Sequence, residues 1–466
     1  MYIQRRDWQK HMDNLKENNQ EHVLDFWDEL TYTSQEKLIK QIATIDFELL
    51  NRLKKEHIEN KTQNDDEDNK FEPPIVIDKP ETGEEISQRT RAKKIGEDLL
   101  KEGKVAVFMV AGGQGSRLGF EGPKGCFNIS PIKNKSLFQL HSEKIISAQK
   151  KYSQRFNLYV MTSESNHTET KEFFEKNDYF GLEEVHFFMQ KMIPALNSNG
   201  KLILSKKDEI FMNPNGHGGS LSALKESGAL DDMKKKGIEH IFYIQVDNCL
   251  VKMLDPVFIG YHKMLESNMS NKAVKKAYPE EKVGVFGIVN GKNTVIEYSV
   301  LPNELRFAKD EKGELKFNAG NTAIHCIDVD FIEEVYTKSL PYNKAFKQIP
   351  YLDENGDLVK PEKPNGCKFE MFIFDALAMC NKSITTMVDR NKEFAPVKNK
   401  DGNDSPQTAK EMMSQFHKSW LRKTGIELDK DVIVEISPLF ASDAVELSKK
   451  INTDDIDFSK KEIYLE

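Results

Sequence analysis

Cysteine is scarce in this 466-residue chain: Cys126, Cys249, Cys326, Cys367 and Cys380 are scattered, and no two stand in C-x-x-C spacing. The odd number and the scatter argue against a disulfide framework, and reduced thiols in a cytosolic protein are the expectation. Long hydrophobic runs are missing too. Nowhere do eighteen uncharged apolar residues follow one another, so no membrane-spanning helix is expected. The opening MYIQRRDWQKHMDN holds no apolar core of a signal peptide, and the closing KEIYLE holds no lipidation or retention signal. A cytoplasmic location is therefore expected, where sequons such as Asn166-His167-Thr168 carry no glycosylation meaning. Positive charge is not in excess: 67 Lys and Arg against 75 Asp and Glu give a net charge of −8. That balance argues against a general nucleic-acid or anionic-membrane surface. Small molecules are the expected partners, met by cations concentrated at one place. No internal repeat is visible.

What the chain does have is the stretch Val105 to Gly125, VAVFMVAGGQGSRLGFEGPKG. Its six apolar residues, Val105 to Val110, read as a strand buried on both faces. The strand stops at Ala111 and gives way to Gly112, Gly113, Gln114, Gly115, Ser116 and Arg117. Clustered glycines after a buried strand present bare backbone N–H groups to an anion and let phosphate approach the main chain. Arg117 and Lys124 add a planar fork and a mobile point charge, and Pro123 limits where Lys124 can reach. The spacing excludes two common phosphate loops. No Lys-Ser or Lys-Thr follows the glycines, as G-x-x-x-x-G-K-[ST] requires, and Gly113, Gly115 and Gly119 are one position too long for G-x-G-x-x-G. A dinucleotide dehydrogenase is disfavoured on that spacing.

Around this loop the chain reads as alternating strands and helices. Residues 1 to 58 have helical periodicity, and an acidic linker or loop follows from Asn60 to Pro74. Thr82 with Glu85, and Ser136 with Gln139, fit capping boxes that open helices. Strands are expected at Asn157–Thr162, Val185–Gln190 and His240–Asp247, with helices near 168–177, 220–236 and 256–266. Shorter β runs follow at 283–290, 294–299 and 322–327. Then come a helix near 366–380, a strand near 384–390, a helix from Pro406 to Arg422 and a strand Val432–Ile436. Such alternation predicts right-handed crossovers and a mostly parallel sheet. Asp247 ends the most clearly buried strand, where ligands gather in open α/β sheets, and Asp247-Asn248 offers hard oxygen ligands suited to Mg²⁺.

The pattern G-G-x-G-[ST]-R-L-G followed by P-K resembles the signature loop of the eukaryotic-type UDP-sugar pyrophosphorylases, specifically the UDP-N-acetylglucosamine pyrophosphorylase family. Ser116 stands where that family more often has Thr. The resemblance implies a Rossmann-like nucleotidyltransferase α/β core with a mixed, mostly parallel sheet over residues 101–423. A helical N-terminal region (1–100) and a small C-terminal domain (424–466) accompany it. It implies the reaction of UTP with N-acetylglucosamine 1-phosphate to give UDP-N-acetylglucosamine and pyrophosphate, in a monomer or weak homo-oligomer.

The same resemblance assigns residues to roles. Arg117, Lys124, Lys368 (in KPNGCKFE) and Lys398 (in FAPVKN) neutralise phosphates. Asp247 holds Mg²⁺. Ala111, Gly112, Gly113, Gln190 and Gly216 bind the nucleotide, with Gln190 reading uracil. His217, Gly284, Glu297, Tyr298 and Asn321 hold the sugar. Taken singly, the strand glycine, the surface Glu, the turn Asn and the lysines are ordinary; their order carries the reading. At position 217 the family usually has Asn, whereas the UDP-glucose type carries G-H-G. A pyrophosphorylase for glucose, galactose or mixed sugar phosphates is therefore the alternative, and a non-catalytic UDP-sugar binding protein is a third.

Overall fold

The computed structural model describes residues 5–59, 69–453 and 456–466. Of the expected linker, residues 60–68 lie outside these. The described chain divides into two compact units. One is built from the N-terminal helices with Gln190–Gly219 and Leu340–Ile373; the other comprises Asn69–Met189, Ser220–Ser339 and Phe374–Glu466.

The larger unit is organised on one sheet whose main strands are β1 (Val105–Val110), β2 (Leu158–Thr162), β3 (Val185–Met189), β4 (His240–Gln245), β5 (Met269–Lys275), β6 (Ala319–Asp328) and β7 (Ser383–Val388). Their order is β7-β5-β6-β4-β1-β2-β3, with the short strand Val76–Ile77 outside β7. All these pairs are parallel except those of β6, which runs antiparallel to both β4 and β5. The expected mixed, mostly parallel sheet is what forms. The parallel strands read as apolar runs because both faces are covered: β1, β2 and β4 are almost wholly buried.

Helices α1 (Gly83–Lys101), α2 (Leu137–Tyr152), α3 (Pro256–Met264) and α4 (Pro406–Lys423) pack in this unit. Thr82 and Glu85 form the full capping box on α1. Ser136 caps α2 alone, because the Gln139 amide donates instead to Glu143 (3.0 Å). Helices α1 and α3 approach backbone to backbone: a Cβ on Gly96 would lie 1.9 Å from the Pro256 carbonyl, and one on Gly260 would lie 1.6 Å from that of Ala92. Only glycine permits that approach. Residues 219–235 form two helices rather than one, since Gly228 sits at φ +80° between them. The final strands, Ile433–Ile436 and Glu462–Leu465, pair in parallel and share a small core with Trp420 and Leu421 of α4.

In the smaller unit, Tyr32–Ala43 and Phe47–Lys54 are helices as the periodicity requires, packed in one core with Ile193, Leu196, Leu204 and Phe369. Of the helix expected near 366–380, the first part is a strand, Gly366–Glu370, paired with Asn343–Lys347, and Ile373–Met379 is a 3₁₀ helix. Gly366 explains the difference: a Cβ there would come within 2.9 Å of Ile203 and Ile349 side chains, so the residue is fixed by close sheet packing.

Candidate active site

Three strands run one way from β1, through β2 to β3, and the next strand of the core, β4, returns to the other side of β1. Strand order reverses at that point, and beyond the carboxyl ends of β1 and β4 lies the crevice where open α/β sheets bind ligands. Gln245 pairs with Val110, so the same register carried two residues further sets Asp247 level with Gly112.

The glycine loop after β1 is held largely by its carbonyls. Asn166 Nδ2 donates to the carbonyls of Ala111 (2.9 Å) and Gly113 (3.3 Å), and Ser163 Oγ donates to that of Gly112 (2.8 Å). Lys124 N–H donates to Gly113 O (3.0 Å), and Gly115 N–H to Gly122 O (2.9 Å). Among the described residues, the amides of Gly112, Gly113 and Gln114 have no acceptor. Three consecutive donors with no internal partner are available to an anion. A Cβ on Gly113 would meet nothing within 4 Å, so the chain's own packing does not demand glycine there.

Lys124 and Asp247 are both buried, and Lys124 Nζ lies 3.5 Å from Asp247 Oδ2. No other described residue bonds the Asp247 side chain. Asn248 then ties the late FAPVKN segment to the same strand end. Its Nδ2 donates to Glu393 O (2.8 Å), its Oδ1 accepts from Ala395 N (2.9 Å), and Val397 N donates to Asp247 O (3.0 Å). Lys398 follows directly, its Nζ 5.9 Å from the Phe394 ring centre. Arg117 is exposed on the short 3₁₀ turn Ser116–Leu118 and, like Lys398, makes no ion pair with a described residue.

Gly284, Glu297 and Asn321 meet at the same carboxyl edge, where β6 begins. Asn321 N donates to Gly284 O (2.8 Å), and a Cβ on Gly284 would lie 3.3 Å from Glu297 Oε1. Burial raises the Glu297 carboxyl above its ordinary pKa, and no described residue bonds its side chain. Tyr298 points away from packing, 40% exposed, with its carbonyl accepting from Arg306 (2.8 Å).

The remaining sequence-assigned residues belong to the smaller unit. Gln190 is buried directly after β3, and its amide has no described partner. Gly216 has φ +85°, and a Cβ there would strike the Met371 carbonyl at 2.4 Å. Gly218 N donates to Met371 O (2.8 Å), and Ile373 N donates to His217 Nδ1 (3.2 Å). The His217 ring is therefore neutral with its proton on Nε2, and burial lowers its pKa to about 4. Lys368 stands on the strand Gly366–Glu370, 4.8 Å from the Phe211 ring centre. The GHGG motif is thus bonded to Met371 and Ile373, the residues just after the distant KPNGCKFE motif.

A family model described as UTP–glucose-1-phosphate uridylyltransferase matches residues 47–446. The chain belongs to this family. Its relatives among the uridylyltransferases include a probable UDP-N-acetylglucosamine pyrophosphorylase of Dictyostelium discoideum, 36% identical over 94% of each chain. The UDP-N-acetylglucosamine pyrophosphorylase of Saccharomyces cerevisiae is 40% identical over 74% of this chain and 75% of its own. The crystal structure of the Trypanosoma brucei uridine diphosphate N-acetylglucosamine pyrophosphorylase with an inhibitor superposes with a TM-score of 0.85, at 29% identity over 99% of this chain and 98% of that one.

Uridylyltransferases of this kind work with a divalent metal, and Asp247 fits one. Its buried carboxylate has a single cationic neighbour, and one carboxylate with substrate phosphates is an ordinary donor set for a hard divalent cation. The two described clusters with metal-like spacing, His240-His262-Asp328 and Glu184-His186-Asp232, do not include Asp247, so phosphate oxygens would have to complete its shell. Sequence reasoning missed Ser163 and Asn166, which orient the uridylyltransferase loop. Their signal was present as a polar S-x-x-N immediately after β2.

Proposed function

We propose that the chain joins UTP to N-acetylglucosamine 1-phosphate and releases pyrophosphate, the sugar phosphate oxygen attacking the α-phosphorus in line. The observation that carries this reading is the buried Lys124–Asp247 pair beside the open amides of Gly112 to Gln114, at the point of strand reversal. The names of the relatives support the N-acetylglucosamine choice.

A phosphate monoester is already ionised at neutral pH, so the site needs no general base. The obstacle is repulsion between two anions and the charge that grows on the leaving pyrophosphate. Lys124, Arg117, Lys398 and Lys368 answer that charge, while Ala111, Gly112 and Gly113 fix the nucleotide phosphates. Gln190 pairs with uracil and Gly216 lets backbone approach the base or sugar. Glu297 accepts from sugar hydroxyls, with Gly284, Asn321, Tyr298 and His217 shaping that pocket. Asp247 holds Mg²⁺, which when bound supplies further positive charge at the phosphates. A catalytic domain at 101–423, with residues 1–100 and 424–466 as accessory regions, belongs to the same proposal. So do a cytoplasmic location, in keeping with five free cysteines, and a monomeric or weakly associating state.

Pyrophosphate release from UTP, measured across a panel of sugar 1-phosphates with and without Mg²⁺, tests the reading. The highest turnover is expected with N-acetylglucosamine 1-phosphate. Preference for glucose 1-phosphate, or nucleotide binding without Mg²⁺-dependent turnover, would overturn it.

A further inference from the structure

Residues of β7, α3, α4, the segment Cys249–Asp255 and the C-terminal region line a cavity of 520 Å³ that none of residues 111–125 lines, nor Asp247. Most of its carboxylates are answered; Asp78 accepts only from the Lys79 amide, and Glu435 keeps one buried oxygen without a partner. Asp255 is bonded by Lys252 and Lys272 (2.9 Å each), Glu393 by Lys272, Asp389 by Lys392 and Asp443 by Lys151. Glu435 accepts from the Ile132 and Lys133 amides. The cations are not all answered. Lys79, Arg89 and Lys423 line the cavity and make no ion pair with a described residue. Lys144 lines it too, and its Nζ touches only carbonyls, those of Cys249 (2.6 Å) and Val251 (3.0 Å). Two bonds leave one ammonium donor over. Burial lowers the Lys144 pKa to about 8, although the nearby Glu393 carboxylate acts against the shift. One wall is aromatic, with Phe416 and Trp420 stacked edge-on at 5.1 Å.

We propose that this cavity is a second ligand site, which takes a small organic anion bearing a flat ring and acts on the nucleotide site next to it. The unpaired cations, with Lys144 central, meet the charge, and the Phe416–Trp420 wall meets the ring. The coupling route is short. The wall segment Cys249–Asp255 directly follows Asp247-Asn248, and Glu393, whose carbonyl accepts from Asn248, directly precedes the segment that carries Lys398. An anion drawing Lys144 away from the Cys249 and Val251 carbonyls loosens the turn that places Asp247.

The dye 8-anilinonaphthalene-1-sulfonate, an aromatic ring system with one sulfonate, is a suitable probe on the full chain. Saturable fluorescence enhancement is expected, unchanged by saturating UTP. Lys423→Glu, at an exposed position, should weaken it roughly five-fold, the upper scale of one surface charge pair. Val445→Trp, at a rim residue 64% exposed, should abolish it without touching the core. Displacement by UTP, or unaltered binding in both variants, would overturn the site. The coupling rests on the proposed reaction, whereas dye binding is read without turnover. The dye should slow pyrophosphate release in the parent and spare Val445→Trp; equal inhibition of both, or none, would overturn the coupling.

Discussion

Lys124 Nζ stands 3.5 Å from Asp247 Oδ2, with side chains only 10% and 12% exposed. The two come from different strand ends, with α2, β2, β3, the segment Gln190–Gly219, two further helices and β4 between them in the chain. A buried lysine and carboxylate side by side, next to unbonded amides, are arranged to receive phosphate and a cation together.

Lys124→Ala should lower kcat on the order of 10²-fold or more, the scale for one preorganised electrostatic donor. Removing the ammonium also leaves Asp247 buried and unpaired, so thermal unfolding should be run alongside. Near-normal turnover in a folded variant would remove Lys124 from the reaction.

Asp247→Asn keeps the shape and removes the charge. Turnover should fall sharply and require far more Mg²⁺ for half-saturation, which a metal titration after chelation would read. An unchanged metal requirement would move the ion elsewhere.

Asn166→Ala removes two donors from the loop carbonyls and strips an acceptor from Ser163, whose N–H donates to Asn166 Oδ1 at 2.8 Å. At about 1 kcal/mol for each lost hydrogen bond, KM for UTP should rise roughly ten-fold or more, with KM for the sugar phosphate little altered. Equal rises in both constants would argue for general loss of structure.

Glu297→Gln should show the opposite split. Loss of a carboxylate acceptor should raise KM for the sugar phosphate roughly ten-fold and leave that for UTP near its parent value.

Burial lowers the pKa of His141 to about 3 and of His417 to about 4. Each folded-state ring stays neutral where the unfolded ring takes a proton, so stability is full above pH 6.5 and is lost as pH falls towards 4. For His417 the loss is on the order of 3 kcal/mol. Carboxylates depressed, despite burial, by hydrogen-bond donors, such as Asp328 at about 2 beside His240 and His262, lose their contribution only below pH 4, which separates the two windows. Urea midpoints should decline between pH 6.5 and 4.5, and less steeply in His417→Gln.

How much of this was legible in the chain follows from how local each feature is. The apolar run Val105–Val110 became a strand with those bounds, and Thr82 with Glu85 became a full box, because both depend on neighbours in sequence. Within the segment 366–380 only Ile373–Met379 is helical, because Gly366–Glu370 yields to long-range pairing with Asn343–Lys347. Asn166 went unread as a loop anchor because its partners lie 53 and 55 residues away.

By itself the sequence determined that a buried strand would hand over to a glycine bend with two cations, and that an aspartate would close another buried strand. Periodicity and turn chemistry are short-range, so they survive in one dimension. Which strands lie side by side, which carbonyls are tied down and which amides stay open were decided only by the tertiary structure. Those depend on register and on side chains meeting across the sheet, and no local pattern encodes either.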